Sequence, residues 1–391
     1  MTYSLDELRS LIKAEDQQII EHLAARMSLV RLVGEHKRDN ALPVMQAGQV
    51  SVVLDRAAAR AAEHGLSQQF ARDLFGIVIQ ESCRVEDDLA SQASVEQDGA
   101  GPEGALIIGG MGHAAAVAVD WLRRLRMSCT VADVVPTAAG GFVADVTRPS
   151  ERLISAVLES KIVVLATPYA VSMECLPTIG PLLGPDAVLV DMLSVKARYA
   201  RALADLQLPC SAVGLNPMYG AGLSPARPRG LAVELQPGHG SGPLLKELER
   251  AGISLLHLAT AEDHDRVCAR WQALPHAAVL AFGAALQALP GGTDAAARDM
   301  APPPFQALCA LLGRMLAMSA ETYAEVQVQN QFAAEARAGL AAAVQALARG
   351  GASSWSALRQ EADQALSPDD RQMWEAAFQG LAGLLMDGSR P

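Results

Sequence analysis

The stretch GGMGHAA, residues 109–115, follows the apolar run ALII and precedes a helical pattern. Within it Gly110, Gly112 and Ala115 are spaced as G-x-G-x-x-A. At that spacing the first glycine permits a tight turn and the second lets backbone approach a pyrophosphate. The alanine keeps helix and strand close. The N-terminus of the following helix then offers unpaired N–H groups to the anion. Alone, the spacing is a weak signal. Asp133 strengthens it, standing at the end of the next apolar run, 23 residues beyond Gly110. A carboxylate there accepts hydrogen bonds from a ribose diol and repels a 2′-phosphate, so the pattern predicts NAD in preference to NADP. S-adenosylmethionine is the alternative: its ribose suits the same acid, although it has no pyrophosphate for the loop to hold.

Other chemistry-bearing residues fall at the ends of later apolar runs. Thr167 and Pro168 close KIVVLATP and are expected to border the nicotinamide. Asp191, Ser194 and Lys196 follow in DMLSVK, at the strand ends where such folds bind ligands. GLNPMYG, residues 214–220, then supplies Asn216, with Tyr219 positioned to bring a hydroxyl near it. An amide does not titrate near neutrality. Asn216 can therefore orient a hydroxyl or an amine but cannot act as a general base.

These residues need elements to hold them. ALIIGG, SCTVADV, KIVVLATP, AVLVDMLS, SAVGLNP and LAVELQP alternate with helical patterns. That alternation predicts a doubly wound parallel sheet, a Rossmann-type α/β domain, over 104–260. Residues 87–103 lack periodicity and read as a linker. Ahead of them, 1–86 reads as an all-α three-helix domain. Leu5, Leu8, Ile12, Ile19, Leu23, Val30 and Val33 predict one helix over 4–38. A second is expected over 47–64, and a third over 67–86 with Ser67 as N-cap. Three helices make too thin a layer to close a core, so a homodimer is expected. Residues 261–391 are again helical and Ala-rich, and read as an all-α domain for substrate and dimer contacts.

Composition narrows the partners. The chain has 391 residues, 50% hydrophobic and 19% charged, which fits globular domains. A net charge of −11 argues against nucleic-acid or anionic-membrane surfaces. No apolar run reaches membrane-spanning length. Six scattered cysteines without a CxxC pair suit reduced thiols, with neither a zinc site nor a disulfide framework, and a cytoplasmic location.

Together LIIGGMGHAA, ATPYAV, LVDMLSVK, GLNPMYG, EDHDRVCARWQALPHA and ETYAEV resemble the bifunctional chorismate mutase/prephenate dehydrogenase family. In that family a helical mutase is fused ahead of the dehydrogenase. The resemblance implies a cyclohexadienyl carboxylate substrate and a mutase pocket built from Arg9, Arg26, Lys37, Ser82 and Glu86. Arg9 would reach into the partner's pocket. His264 matches a family position taken as structural, and Asp263 and Asp265 read as charges complementing the dipole of their own helix.

The departures from the family pattern are chemical. Gln49 and Val50 stand where the family carries an Arg-Glu pair whose glutamate binds the 4-hydroxyl of chorismate. Asn216 stands where a histidine takes or shares the 4-hydroxyl proton. Pro275 stands where an arginine grips a substrate carboxylate, and a proline within a helix bends it. The neighbouring His276 is then the candidate substrate contact. Val50 and Asn216 would both touch the substituent at C4. The resemblance therefore implies NAD-dependent oxidative decarboxylation of a substrate modified there, such as 4-amino-4-deoxyprephenate. The alternatives are slow turnover of ordinary prephenate, or a pocket rebuilt for another reaction such as methyl transfer from S-adenosylmethionine.

Overall fold

The computed structural model describes residues 3–39, 47–96, 104–110, 112–136, 141–220, 225, 228–289 and 300–386. Three helices come first: α1 (Leu5–Asp39), α2 (Ala47–Glu63) and α3 (Gln68–Glu96). A reciprocal cap starts α1, with Ser4 N–H donating to Glu7 at 2.7 Å and Glu7 N–H donating to Ser4 Oγ at 3.3 Å. Ser67 opens α3 as expected, accepting from Phe70 N–H at 3.3 Å. The helix then runs to Glu96, into the stretch read as a linker. EDDLASQASVE contains neither glycine nor proline, so nothing in it stops a helix once begun.

The sheet follows, built from β1 (Ala105–Ile108), β2 (Cys129–Asp133), β3 (Phe142–Val143), β4 (Ile162–Leu165), β5 (Val188–Asp191), β6 (Ser211–Pro217), β7 (Arg229–Gln236) and β8 (Ser254–Leu258). Strand order is β3-β2-β1-β4-β5-β6-β7-β8. Helices α4 (His113–Arg124), α5 (Glu151–Glu159), α6 (Tyr169–Ile179) and α8 (Ser241–Arg250) connect its strands. β1, β4 and β5 are buried along their whole length, as strands of a sheet covered on both faces must be. One expectation fails: β6 and β7 pair antiparallel, with Asn216 opposite Leu231. The connection between them is too short for a crossover helix, so the chain can only return beside itself. The short edge strands β3 and β8 were not legible as separate runs.

The chain divides into two compact units, Met1–Leu193 with Leu203–Leu258, and Ser194–Ala202 with Ala259–Pro391. The second unit holds the start of α7 (Ala197–Leu206), then α9 (Ala261–Cys268), a π-helical turn (Ala269–Ala273) and α10 (Leu274–Ala288). Helices α11 (Pro303–Ala317), α12 (Ala320–Val328), α13 (Ala333–Ala348), α14 (Ala352–Asp363) and α15 (Pro368–Met386) complete it. Asp265 ties its beginning to its middle: the carboxylate accepts from Lys196 N–H at 2.8 Å and Ala197 N–H at 3.0 Å, capping α7. Asp263 does serve its own helix, in a reciprocal cap with Thr260. Asp265 does not. It is buried, and the buried His264 meets it at 3.0 Å.

Candidate active site

At the end of β1 the chain turns sharply, and the residue that makes the turn is Gly109, with φ +87°. The expected turn residue, Gly110, has a different duty. A Cβ there would lie 1.9 Å from Val131 Cγ1, so Gly110 keeps the loop seated on β2. A Cβ on Gly109 would strike Ala166 O at 2.7 Å and Thr167 Cγ2 at 2.8 Å. The loop is thus held against the end of β4, which brings Thr167 beside it. Gly112 differs again: a Cβ would meet nothing nearer than 3.6 Å. Its bareness leaves the approach to α4 open, and no side chain caps that helix. Ala115 is fully buried, which fixes how closely α4 packs. The adjoining sequence signal, a doubled glycine before the second spaced one, was sufficient to have implicated Gly109.

Asp133 ends β2, half-buried, with Oδ1 accepting from Val135 N–H at 3.2 Å. Thr167 shares a hydrogen bond of 2.7 Å with Ser172, and Pro168 precedes the first turn of α6. The glycine turn, the uncapped helix start and the carboxylate at the end of β2 fit a dinucleotide: backbone N–H for the pyrophosphate, Asp133 for the ribose diol. Ser194 lies in the second unit, half-buried ahead of α7. Lys196 is fully buried.

Asn216 is only 3% exposed, next to last in β6. In the register, Gly214 pairs with Asp191, so Asn216 extends two residues past the end of β5 at the strand-end side of the sheet. Three strand spacings, roughly 14 Å, separate β6 from β1. The Tyr219 hydroxyl accepts from the indole N–H of Trp121 at 2.6 Å, and burial raises its pKa. Trp121 is buried against Gly230, where a Cβ would come within 2.7 Å of the ring. Tyr219 is committed to packing α4 on the sheet, and a donor for it on the far helix had no sequence signal.

In the N-terminal helices, Arg26 donates to Ser82 Oγ at 2.6 Å, and Lys37 donates to Glu86 at 2.7 Å. Ser82 and Glu86 are both buried, so α1 and α3 present four of the expected pocket residues along one seam. Arg9 is not among them. It lies 17 positions before Arg26, roughly 26 Å along α1, is 69% exposed and pairs with Asp6. Val50 is half-buried in the first turn of α2. Gln49 lies in that turn too, but its side chain is outside the described residues.

Pro275 is exposed and lies inside a continuous helical run, directly after the π turn: the backbone is right-handed helical at Cys268 (φ −65°, ψ −33°) and at Ala273 (φ −62°, ψ −45°), so its missing N–H interrupts the ladder there. His276 follows. Its ring meets Tyr323 edge-on at 4.6 Å, burial lowers its pKa to about 4, and Nδ1 is buried without a hydrogen-bond partner. Among the described residues no cluster of His, Cys, Asp and Glu could hold a metal ion, and no helix is long and apolar enough to cross a membrane.

Comparison with known proteins agrees with both regions. Residues 8–87 match the family model for chorismate mutase type II, and residues 139–231 match that for the prephenate dehydrogenase nucleotide-binding domain. The second match begins after the glycine turn and Asp133, so the cradle rests on its own geometry. A 4-amino-4-deoxyprephenate dehydrogenase of Streptomyces pristinaespiralis is 35% identical over 284 residues, 72% of this chain and 90% of the relative. A 4-amino-4-deoxychorismate mutase of Streptomyces venezuelae is 38% identical over 91 residues, 23% of this chain and 88% of the relative. The T-protein of Haemophilus influenzae is 24% identical over 329 residues, covering 83% of this chain and 81% of that one. With a helical mutase match ahead of a nucleotide-binding sheet, the chain belongs to the bifunctional chorismate mutase/prephenate dehydrogenase family.

Proposed function

We propose that this enzyme rearranges 4-amino-4-deoxychorismate to 4-amino-4-deoxyprephenate and then oxidatively decarboxylates the product with NAD⁺. The observation that carries the reading is that the two halves match separate relatives named for consecutive C4-amino compounds. Asn216 and Val50 support it, since neither can do the acid–base or carboxylate work that a 4-hydroxyl substrate asks of those positions. The three-domain arrangement follows the same reading: mutase over 1–86, cofactor binding over 104–260 and helical contacts over 261–391, with α3 running on to Glu96 into the 87–103 stretch that joins the first two.

In the mutase, Arg26 and Lys37 hold the substrate's carboxylates and ether oxygen, with Ser82 and Glu86 fixing the cations; catalysis is orientation and electrostatics. In the dehydrogenase, NAD⁺ held at the glycine loop and Asp133 would supply the acceptor for the hydride that leaves C4. The C1 carboxylate leaves as CO₂, its bonding electrons close the aromatic ring, and 4-aminophenylpyruvate results with no net proton released. The neutral amine already carries the lone pair that assists hydride departure. Asn216 therefore only orients it, which is what an amide can do. Gly110 would seat the loop and Gly112 bare the start of α4 for the pyrophosphate, with Ala115 packing that helix; Asp133 would hold the ribose, and Thr167 and Pro168 would border the nicotinamide.

The working form is a homodimer. Leu8, Leu11, Ile12, Ile19, Ile20, Leu29 and Leu32 of α1 are all exposed, apolar surface that the pairing of α1 with α3 leaves uncovered. A second copy covering it would also bring Arg9 to a pocket other than its own. Trp355, Met373, Trp374 and Leu381 offer a further apolar face in the C-terminal helices.

Steady-state kinetics with both substrates tests the reading. Wild type is expected to use prephenate with kcat/KM lower by ~10²–10⁴ than 4-amino-4-deoxyprephenate, the usual worth of a positioned base. Asn216→His should narrow the gap by improving prephenate turnover. Equal efficiency of wild type on the two substrates would overturn it.

A further inference from the structure

Within the first unit, α4 joins two parts of the candidate site. Its first turn follows Gly112, where bare backbone leaves the helix start open to a pyrophosphate. Its third turn carries Trp121, 1% exposed and roughly 12 Å further along the axis. The indole there reaches the Asn216 segment twice. Its N–H donates to the Tyr219 hydroxyl at 2.6 Å, three residues past Asn216. Its ring tip lies over Gly230, where a Cβ would come within 2.7 Å of the indole and 3.1 Å of Asn216 O. Gly230 pairs with Pro217 in the β6–β7 ladder, and Met218 N–H donates to Arg229 O at 3.0 Å. Trp121 thus bears on both strands at the residues beside Asn216.

Packing alone asks for less. A phenylalanine at 219 would fill the same space, and an apolar side chain at 121 would need no acceptor. Replacing both partners of a buried hydrogen bond by apolar groups of the same shape is close to neutral for stability. What the bond adds is a fixed distance and direction. We propose that Trp121 and Tyr219 are positioning residues for Asn216, tying the end of β6 that carries the amide to the helix whose start receives the cofactor. The assignment rests on the part given to Asn216 in the proposed function. Hydride transfer needs the amide, the C4 substituent and the dinucleotide in register, and small misplacements of such groups lower the rate steeply.

A mutant cycle tests this. Tyr219→Phe keeps the ring and removes the acceptor. Kinetics with 4-amino-4-deoxyprephenate at saturating NAD⁺ read the Asn216 end of α4, and calorimetric titration of NAD⁺ reads the helix start. In Tyr219→Phe, kcat is expected to fall about tenfold, with KM and the NAD⁺ Kd within about twofold of wild type. In an Asn216→Ala background the same change should cost less than about twofold, because no amide is left to position. Asn216→Ser supplies that background if the alanine variant does not fold. Trp121→Phe should repeat the pattern, and Trp121→Phe with Tyr219→Phe should be no slower than the slower single variant, since all lack the same bond. An equal loss in both backgrounds would leave Tyr219 a merely structural residue, and no loss in the first would leave the bond idle; either overturns the assignment. Weaker NAD⁺ binding at unchanged kcat overturns it as well. A wild type that prefers prephenate sinks the proposed function instead, and the same cycle run on prephenate still reads whether Tyr219 acts through residue 216.

Discussion

The α1–α3 seam and the π turn handle buried polar groups in opposite ways. Along the seam, Arg26 meets Ser82 and Lys37 meets Glu86, so the cations are held before any ligand arrives. At the π turn, Gln272 and His276 keep buried atoms unpaired. A ligand entering the seam must compete with Glu86 for Lys37, and gains only the difference between two charge-assisted bonds. At the π turn the unpaired atoms are a standing cost, whereas along the seam charge-assisted bonds offset the burial of the polar groups.

The largest effect should come from breaking the seam. Lys37→Met removes a cation aimed at the rearranging ether and leaves Glu86 buried without its partner. Mutase turnover should fall by ~10²–10³, the worth of one such electrostatic group. Stability should fall by about 3 kcal/mol, as when one partner of a buried pair is deleted. Mutase assays and urea melts read the two effects. Arg9→Met makes the contrast sharper: exposed and paired only with Asp6, it should leave the urea midpoint unchanged yet lower turnover through the second copy. Unchanged turnover in both variants would mean that the seam is not a pocket.

The cofactor cradle gives an intermediate effect. Asp133 stands where a ribose diol would lie, so Asp133→Ala should weaken NAD⁺ binding by about 1.5–3 kcal/mol, a hydrogen bond to a charged group. NADP⁺ should lose less, because the same change removes a repulsion. Fluorescence titration of both nucleotides checks this, and equal affinity of variant and wild type for NAD⁺ would misplace the ribose.

How far these regions could be read in advance depended on what encodes them. The strand runs and α1 were legible because burial on a sheet or along a helix leaves a period in the sequence. The glycine turn and the packing position of Ala115 were legible because backbone approach and helix packing fix residue types at fixed spacing, although the turn itself falls at Gly109 and not at Gly110. Asn216 and Val50 stood out only as departures from a family pattern. Other features had no local signature. Tyr219 looked like a pocket hydroxyl, but its partner is Trp121, 98 positions away. Asp265 looked like a charge for its own helix, but it caps α7 from 68 and 69 positions away. The antiparallel return of β7 followed from a short connection, and a run of apolar residues does not state its direction. Gln272 was invisible: an unpaired acceptor is a property of packing, and no spacing announces it.

The smallest effect is also the most specific. Burial holds the His276 imidazole neutral in the folded chain, with a pKa of about 4 against an ordinary 6.5. As pH falls from 6.5 toward 4, the unfolded chain binds a proton that the folded chain refuses. The unfolded state then holds more protons, so stability drops across that window, is unaffected above it, and levels off below it. The shift alone would be worth roughly 3 kcal/mol, but the ring keeps some exposure and water screens part of the cost, leaving about 1–2 kcal/mol. His276→Phe abolishes this term, because phenylalanine has no proton to bind. Urea melts of both proteins at pH 7.5 and 4.5 should show the difference between them growing in favour of the variant at the lower pH. The carboxylates that titrate in the same range are common to both chains and cancel. A difference that stays constant with pH would mean that the ring titrates near its ordinary 6.5 in the folded chain too, and that burial costs its charged form nothing.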